Sequence, residues 1–206
     1  LRGCAQLRYD TFEIVVVTHP GSLAQVSKLP FAHHLKTVAF DAANVSAARN
    51  EGVRSAAGEI IAFIDDDAVP EPSWLHHLIG PFSDRHVAAA GGFVRGRNGI
   101  SYQWRANTVD QSGQVTPFTI PDDAPMIIAP SLGRVAKTEG TNMAIRRSVL
   151  AELGGFDPAF QFFLDETDLN LRLGQAGHAV ALVPHAQVYH GFAASARRRP
   201  DRVPRS

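Results

Sequence analysis

The stretch EIIAFIDDDAVPEPSW, Glu59 to Trp74, decides how this chain folds. Glu59 to Ile64 is a short apolar run that predicts a buried strand, and it delivers Asp65, Asp66 and Asp67 at its carboxyl end. Pro70 and Pro72 then interrupt the chain, and Pro72 to Leu78 predicts a helix with proline in its first turn. Three adjacent carboxylates repel one another, and low-dielectric walls strengthen the repulsion. Either water solvates all three, or a cation belongs among them. Taken alone, the run supports a solvated acidic turn and a metal site about equally.

Outward from this stretch, strands and helices alternate. Glu13 to Val17 and Leu35 to Phe40 predict strands, joined through the turn-like THPGS of residues 18–22. Asn44 to Ala57 predicts a helix that Gly58 stops. Val87 to Arg95 predicts a strand weakened by Gly91 and Gly92, and Ala179 to Val183 a late strand. Ser148 to Leu153 and Asp165 to Gln175 predict helices, and the spacing of Leu1, Cys4 and Leu7 suggests another. Between Arg97 and Leu132 the pattern gives strand pieces and a loop from Pro117 to Pro130. Such alternation argues for an α/β domain with a largely parallel sheet. Ligands of these sheets bind at the carboxyl ends of the strands, where the aspartates sit.

Composition narrows the function. With 206 residues, 45% hydrophobic and 19% charged, the chain reads as one ordinary globular domain. Twenty basic and twenty acidic side chains cancel, so nothing pulls it toward nucleic acid. The single cysteine, Cys4, excludes an internal disulfide framework and fits a reducing, cytoplasmic location. No run is long enough to span a membrane, and no signal peptide is visible. The chain starts at Leu1, which leads us to expect a longer parent protein. Residues 1–192 are expected to form the domain, and the arginine-rich 193–206 a disordered tail that could touch the inner face of a membrane.

Further candidates lie downstream. In FFLDETDLNLRL, residues 162–173, helical spacing puts Asp165 and Asp168 on one face and Leu169 with Leu173 on another. Acidic residues also suit a helix first turn, which explains the cluster without chemistry. The apolar Phe162 to Leu164 beside it would raise a carboxylate toward a useful base. In EGTN, residues 139–142, Gly140 permits close approach, and Thr141 and Asn142 can bond a polyol; a plain turn before a buried strand explains them as well. His190 is a candidate extra metal ligand, and Tyr102 and Trp104 are candidates for stacking on a sugar. There is no GxGxxG after a strand, no GxxxxGK[ST], no GxSxG and no HExxH.

Together, NVSAARNEGVRSAAGEIIAFIDDDAVPEPSWL, EGTNMAIRRSVLAELGGFDPAF and FLDETDLNLRLGQAGH resemble family 2 glycosyltransferases of the GT-A fold. That resemblance implies a Rossmann-like α/β domain with a mixed, mostly parallel sheet flanked by helices. It implies inverting transfer of a sugar from a nucleoside-diphosphate sugar to a glycan, lipid-linked or other hydroxyl acceptor, with Mn²⁺ or Mg²⁺. By position, Asp67 would hold the metal, with Asp65 and His190 as further ligands. Asn44, Arg49, Asp65 and Asp66 would line the nucleotide pocket, and Gly140, Thr141 and Asn142 the donor and acceptor. Of the acidic pair, Glu166 matches the general base by position and Asp165 by residue type. The family's usual first strand, with its Pro-Thr-Tyr-Asn-like turn, has no counterpart here, and Leu1 to Asp10 matches the helix after it. Two other readings therefore stand beside transfer: a non-catalytic remnant that binds a carbohydrate or partner, and a sugar nucleotidyltransferase.

Overall fold

The apolar runs expected to be strands are strands. The structure, a computed structural model, describes residues 1–96, 98–130 and 133–191. Strands β1 (Ile14–Thr18), β2 (Leu35–Ala39) and β3 (Ile60–Phe63) come first, with helix α1 (Leu23–Val26) after β1 and α2 (Val45–Ser55) after β2. Then come β4 (Ala68–Pro70), α3 (Trp74–Ile79) and the long β5 (Val87–Arg95). Five short strands occupy the middle: β6 (Tyr102–Trp104), β7 (Asn107–Asp110), β8 (Val115–Pro117), β9 (Met126–Ile128) and β10 (Arg134–Lys137). The chain continues through β11 (Met143–Arg146), α4 (Arg147–Glu152), α5 (Asp165–Gln175) and β12 (Ala179–His190).

The central sheet has the order β3-β11-β5-β12-β4, with β6 on β5 and β9 on β12. β11 is antiparallel to both β3 and β5, and β12 is parallel to β5, so β3, β5 and β12 all run the same way. The sheet is therefore mixed. β5 is buried over Val87–Val94, as a central strand covered on both faces must be. Alternate residues face opposite layers. Ala89, Ile145 and Val180 pack with Leu150 of α4 and Leu169 and Leu173 of α5, whereas Ala90, Ala144 and Ala181 pack under Trp74, Leu75 and Leu78 of α3. The result is a three-layer α/β/α sandwich.

Some expectations change. Residues 1–7 give only a 3₁₀ turn at Cys4–Gln6. The loop expected between Pro117 and Pro130 contains β9, and the late strand runs on past Val183 to His190. That extension is possible because the β5–β12 register shifts between Val183 and Gln187, carrying Pro184 out of a ladder it could not serve. Gly91 and Gly92 do not merely weaken β5. A side chain at Gly91 would overlap Thr138, and one at Gly92 would overlap Asn142 and the Ala186 carbonyl. β1 and β2 form a separate two-stranded parallel sheet, and among the described residues no strand joins β1 to β3. The resemblance expects a further strand, the family's first. The tail from residue 193 lies outside the described residues.

Candidate active site

The aspartates sit in a turn that β12 holds. Asp65 follows β3, and the Ala68 amide donates back to its carbonyl at 3.1 Å, closing a turn that leads into β4. β4 pairs antiparallel with the end of β12, Ala68 opposite His190, and the Gly191 amide donates to the Asp67 carbonyl at 3.1 Å. The imidazole thereby reaches the carboxylates. His190 Nε2 lies 3.1 Å from Asp67 Oδ1 and 3.9 Å from Asp65 Oδ2. One ligand atom from each of Asp65, Asp67 and His190 falls within 4.8 Å of the others, while Asp66 is exposed on the same turn.

Gln103 of β6 sets the ring. Its amide nitrogen donates to the His190 carbonyl at 3.1 Å, which turns its oxygen toward His190 Nδ1 at 3.0 Å. With Nδ1 donating to Gln103, Nε2 would be available to a cation held with the aspartates. Two carboxylates and a neutral imidazole nitrogen form a donor set that fits a divalent cation such as Mn²⁺ or Mg²⁺.

Helix α2 brings the second acidic cluster to the first. Asn44 caps α2, its oxygen accepting from the Ala47 amide at 2.8 Å and its nitrogen donating to the Pro158 carbonyl at 2.9 Å. Ser46 bonds the Phe160 carbonyl, the Val45 amide bonds the Gln161 carbonyl, and Asn50 exchanges two bonds with the Phe156 backbone. The segment before α5 is thus laced to α2. Arg49, in the same helix, pairs with Asp165 and reaches Asp65 Oδ1 at 3.4 Å. Its guanidinium lies 5.3 Å from the Phe156 ring centroid, and the missing side chain of Gly140 leaves it room.

Glu166 occupies different ground from Asp165. Asp165 is 2% exposed and committed to Arg49. Lys137 Nζ stands 3.7 Å from Glu166 Oε1, and burial, with a hydrogen bond to Asp165, pushes the Glu166 carboxyl up to about 7. Phe162, Phe163 and Leu164, the apolar stretch before the helix, are more than half exposed, and Leu164 takes a left-handed φ of 66° just before α5.

Residues 1–201 match the family model described as Glycosyltransferase like family 2. The chain belongs to that family. Over 219 aligned residues it is 28% identical to the O-antigen biosynthesis protein RfbC of Myxococcus xanthus, covering 97% of this chain and 16% of that protein. The chain therefore spans about a sixth of that relative's length. The GT-A fold is also that of S. aureus TarS 1-349 in complex with UDP-GlcNAc, with a TM-score of 0.70 at 15% identity over 95% of this chain and 54% of the other. GalNAc-T7 with UDP, GalNAc and Mn²⁺ superposes with a TM-score of 0.66 at 19% identity, over 87% and 38% of the two chains.

Within this glycosyltransferase family member, the expected site residues divide. Asp65, Asp67, His190, Arg49, Asp165 and Glu166 converge. Asn44 lies at the start of α2 with both amide atoms engaged in holding the loop. Asn142, expected beside donor and acceptor, is 0% exposed; it accepts from Trp74 Nε1 at 2.7 Å and donates to the Phe93 and Ala186 carbonyls at 2.9 Å each. Those carbonyls flank the β5–β12 register shift, so Asn142 mends the sheet and is not a sugar contact. Thr141 differs: its hydroxyl is buried without a hydrogen-bond partner, next to the residue that touches Arg49. Gln103 and Lys137 were not expected from sequence, because no local motif marks them, and Glu139 lay in the EGTN stretch without a role assigned to it. A hollow of about 450 Å³ lined by Arg85, His86, Arg146 and His178 lies at the opposite, amino ends of β5 and β12.

Proposed function

We propose that the chain is an inverting, metal-dependent glycosyltransferase that moves a sugar from a nucleoside-diphosphate sugar to an acceptor hydroxyl. One observation carries this reading: Arg49 touches both Asp65 and Asp165, joining two acidic clusters a hundred residues apart at one place. Two such clusters have two different tasks in this reaction. Asp65, Asp67 and His190 would hold the divalent cation, which supplies positive charge against a diphosphate leaving group. Asp66, exposed on the same turn, would contact the nucleotide. Solved neighbours carrying UDP, UDP-GlcNAc and Mn²⁺ support the same donor class.

Glu166 is the general base of this reading, because Asp165 is spent on Arg49. The acceptor oxygen attacks the anomeric carbon as the bond to the diphosphate breaks, and the acceptor proton passes to the Glu166 carboxylate. Attack from the face opposite the leaving group inverts that carbon. The orphaned Thr141 hydroxyl supplies a hydrogen bond to donor or acceptor. Calorimetric titration of UDP, GDP and dTDP with and without Mn²⁺ tests the donor site, with Asp67→Ala as control. Saturable binding that needs the metal and vanishes in the variant supports the reading. Binding of no nucleotide would leave a carbohydrate- or partner-binding remnant, and product formation from a sugar phosphate and a nucleoside triphosphate would mean nucleotidyl transfer.

A further inference from the structure

Lys137 is 6% exposed, a rare position for a lysine. Its ammonium bonds the Glu139 carboxylate, stands 3.7 Å from Glu166 Oε1, and lies 5.0 Å from the Trp104 ring centroid. The arrangement is built from below. Asn170 of α5 clamps the intervening Thr138: its oxygen accepts from the Thr138 amide and hydroxyl at 3.3 and 2.9 Å, and its nitrogen donates to the Thr138 carbonyl at 3.0 Å. The same nitrogen donates to the Glu166 carbonyl at 2.7 Å, fixing residues 137–139 against the first turn of α5. Lys137 and Glu139 are two residues apart on extended backbone, so their side chains share one face.

We propose that Lys137, fixed by Glu139 and Trp104, is a positioning residue for Glu166. This rests on the reading of Glu166 as the base. One ammonium serves two carboxylates. While Glu166 is ionised the trio carries one surplus negative charge, and when Glu166 takes the acceptor proton the remaining Lys137–Glu139 pair is balanced. Lys137 is close enough to favour the ionised base, yet its hydrogen bond goes to Glu139, which leaves Glu166 free to accept a proton. The other charges facing Glu166 are Asp165 of α5, which opposes its ionisation, and Arg49 of α2, which holds Asp165. The Glu139 carboxyl is itself raised by burial and lowered by Lys137, as a shared cation requires.

The test needs no substrate. The chain has seven glutamates, so ¹³C labelling of the side-chain carboxyls gives a readable NMR titration, with Glu166 assigned by its loss in Glu166→Gln. Lys137→Met should move the Glu166 midpoint up, and Glu139→Gln should move it down, each by about one pH unit. Opposite displacements support the proposal; unmoved midpoints, or two in the same direction, overturn it. If Lys137→Met does not fold, Glu139→Gln and Lys137→Arg carry the test, the arginine variant keeping the midpoint near its native value. Separately, release of UDP from UDP-sugars is followed for the native chain and Glu166→Gln. Loss of turnover with an unmoved titration overturns the role of Lys137 alone. Retained turnover in Glu166→Gln overturns the base reading, and the positioning role with it.

Discussion

Gly140 packs so closely on Arg49 that a β-carbon there would overlap the guanidinium. The glycine is needed for the arginine, and the arginine for both aspartates. Gly140→Ala should therefore weaken nucleotide binding while the chain stays folded, because the overlap falls on the guanidinium end of a long side chain and not on backbone. Arg49→Lys cannot reach Asp65 and Asp165 together with one planar fork. It should cost turnover at least about 100-fold, and Arg49→Ala should cost about 3–5 kcal/mol of stability by stranding the buried Asp165 charge. Urea unfolding beside nucleotide titration checks both; an Arg49→Ala chain of native stability would refute the bridge.

On the proposed reading, Glu166 would give the reaction its pH dependence. With its carboxyl near 7, turnover should rise with pH through about 7 as the carboxylate forms. Stability should do the reverse. Between about 4.5 and 7 the folded chain keeps a proton that the unfolded chain has released, so stability falls as pH rises through that window. Below it the two states are equally protonated, and above it the loss is complete, at most about 3 kcal/mol. Glu166→Gln should abolish turnover and flatten this part of the stability profile. Melting temperatures of both chains from pH 4 to 8 decide the matter.

Gln103 can be probed without touching a ligand. Gln103→Leu removes the bond that orients His190, and Mn²⁺ affinity in the presence of UDP should fall about 10–100-fold. Calorimetry reads this directly, with His190→Ala as the limiting case. An unchanged affinity would mean that the imidazole does not ligate.

Asn142 separates a sheet role from a sugar role. Asn142→Ala leaves the Phe93 and Ala186 carbonyls and Trp74 Nε1 without their buried partner, at about 1–3 kcal/mol each. A loss of several kcal/mol in urea unfolding is expected, with nucleotide affinity of the folded fraction kept. Native stability with lost sugar transfer would instead return Asn142 to the substrate.

How much of this was legible in the sequence depended on how local the signal was. EIIAFI followed by three aspartates announced both a strand and what lies at its end, since burial pattern and charge are written in adjacent residues. The helix expected over residues 44–57 is α2, but Asn44 is its cap and it ends at Ser55 with Ala56 as C-cap, short of the expected stop at Gly58. The three motifs read together gave the family and the fold. His190 was legible as a candidate, but the reach of β12 that delivers it was not, because the shift at Pro184 depends on the facing strand. Gln103 and Lys137 act on His190 and Glu166 through contacts far along the chain, and nothing beside them says so. Asn142 misled for the same reason: a polar residue in a turn reads as available, and only its neighbours in space use it up.

Arg49 holds one carboxylate from each half of the site, and that has a consequence for order. Whatever draws Asp65 toward a cation loosens its hold on the guanidinium and leaves Arg49 more fully to Asp165, the neighbour of Glu166. By thermodynamic reciprocity, a change at Glu166 is felt equally by the cation. On the proposed reading the two half-sites would thus be linked through one guanidinium, and filling the donor side would ready the acceptor side for its proton.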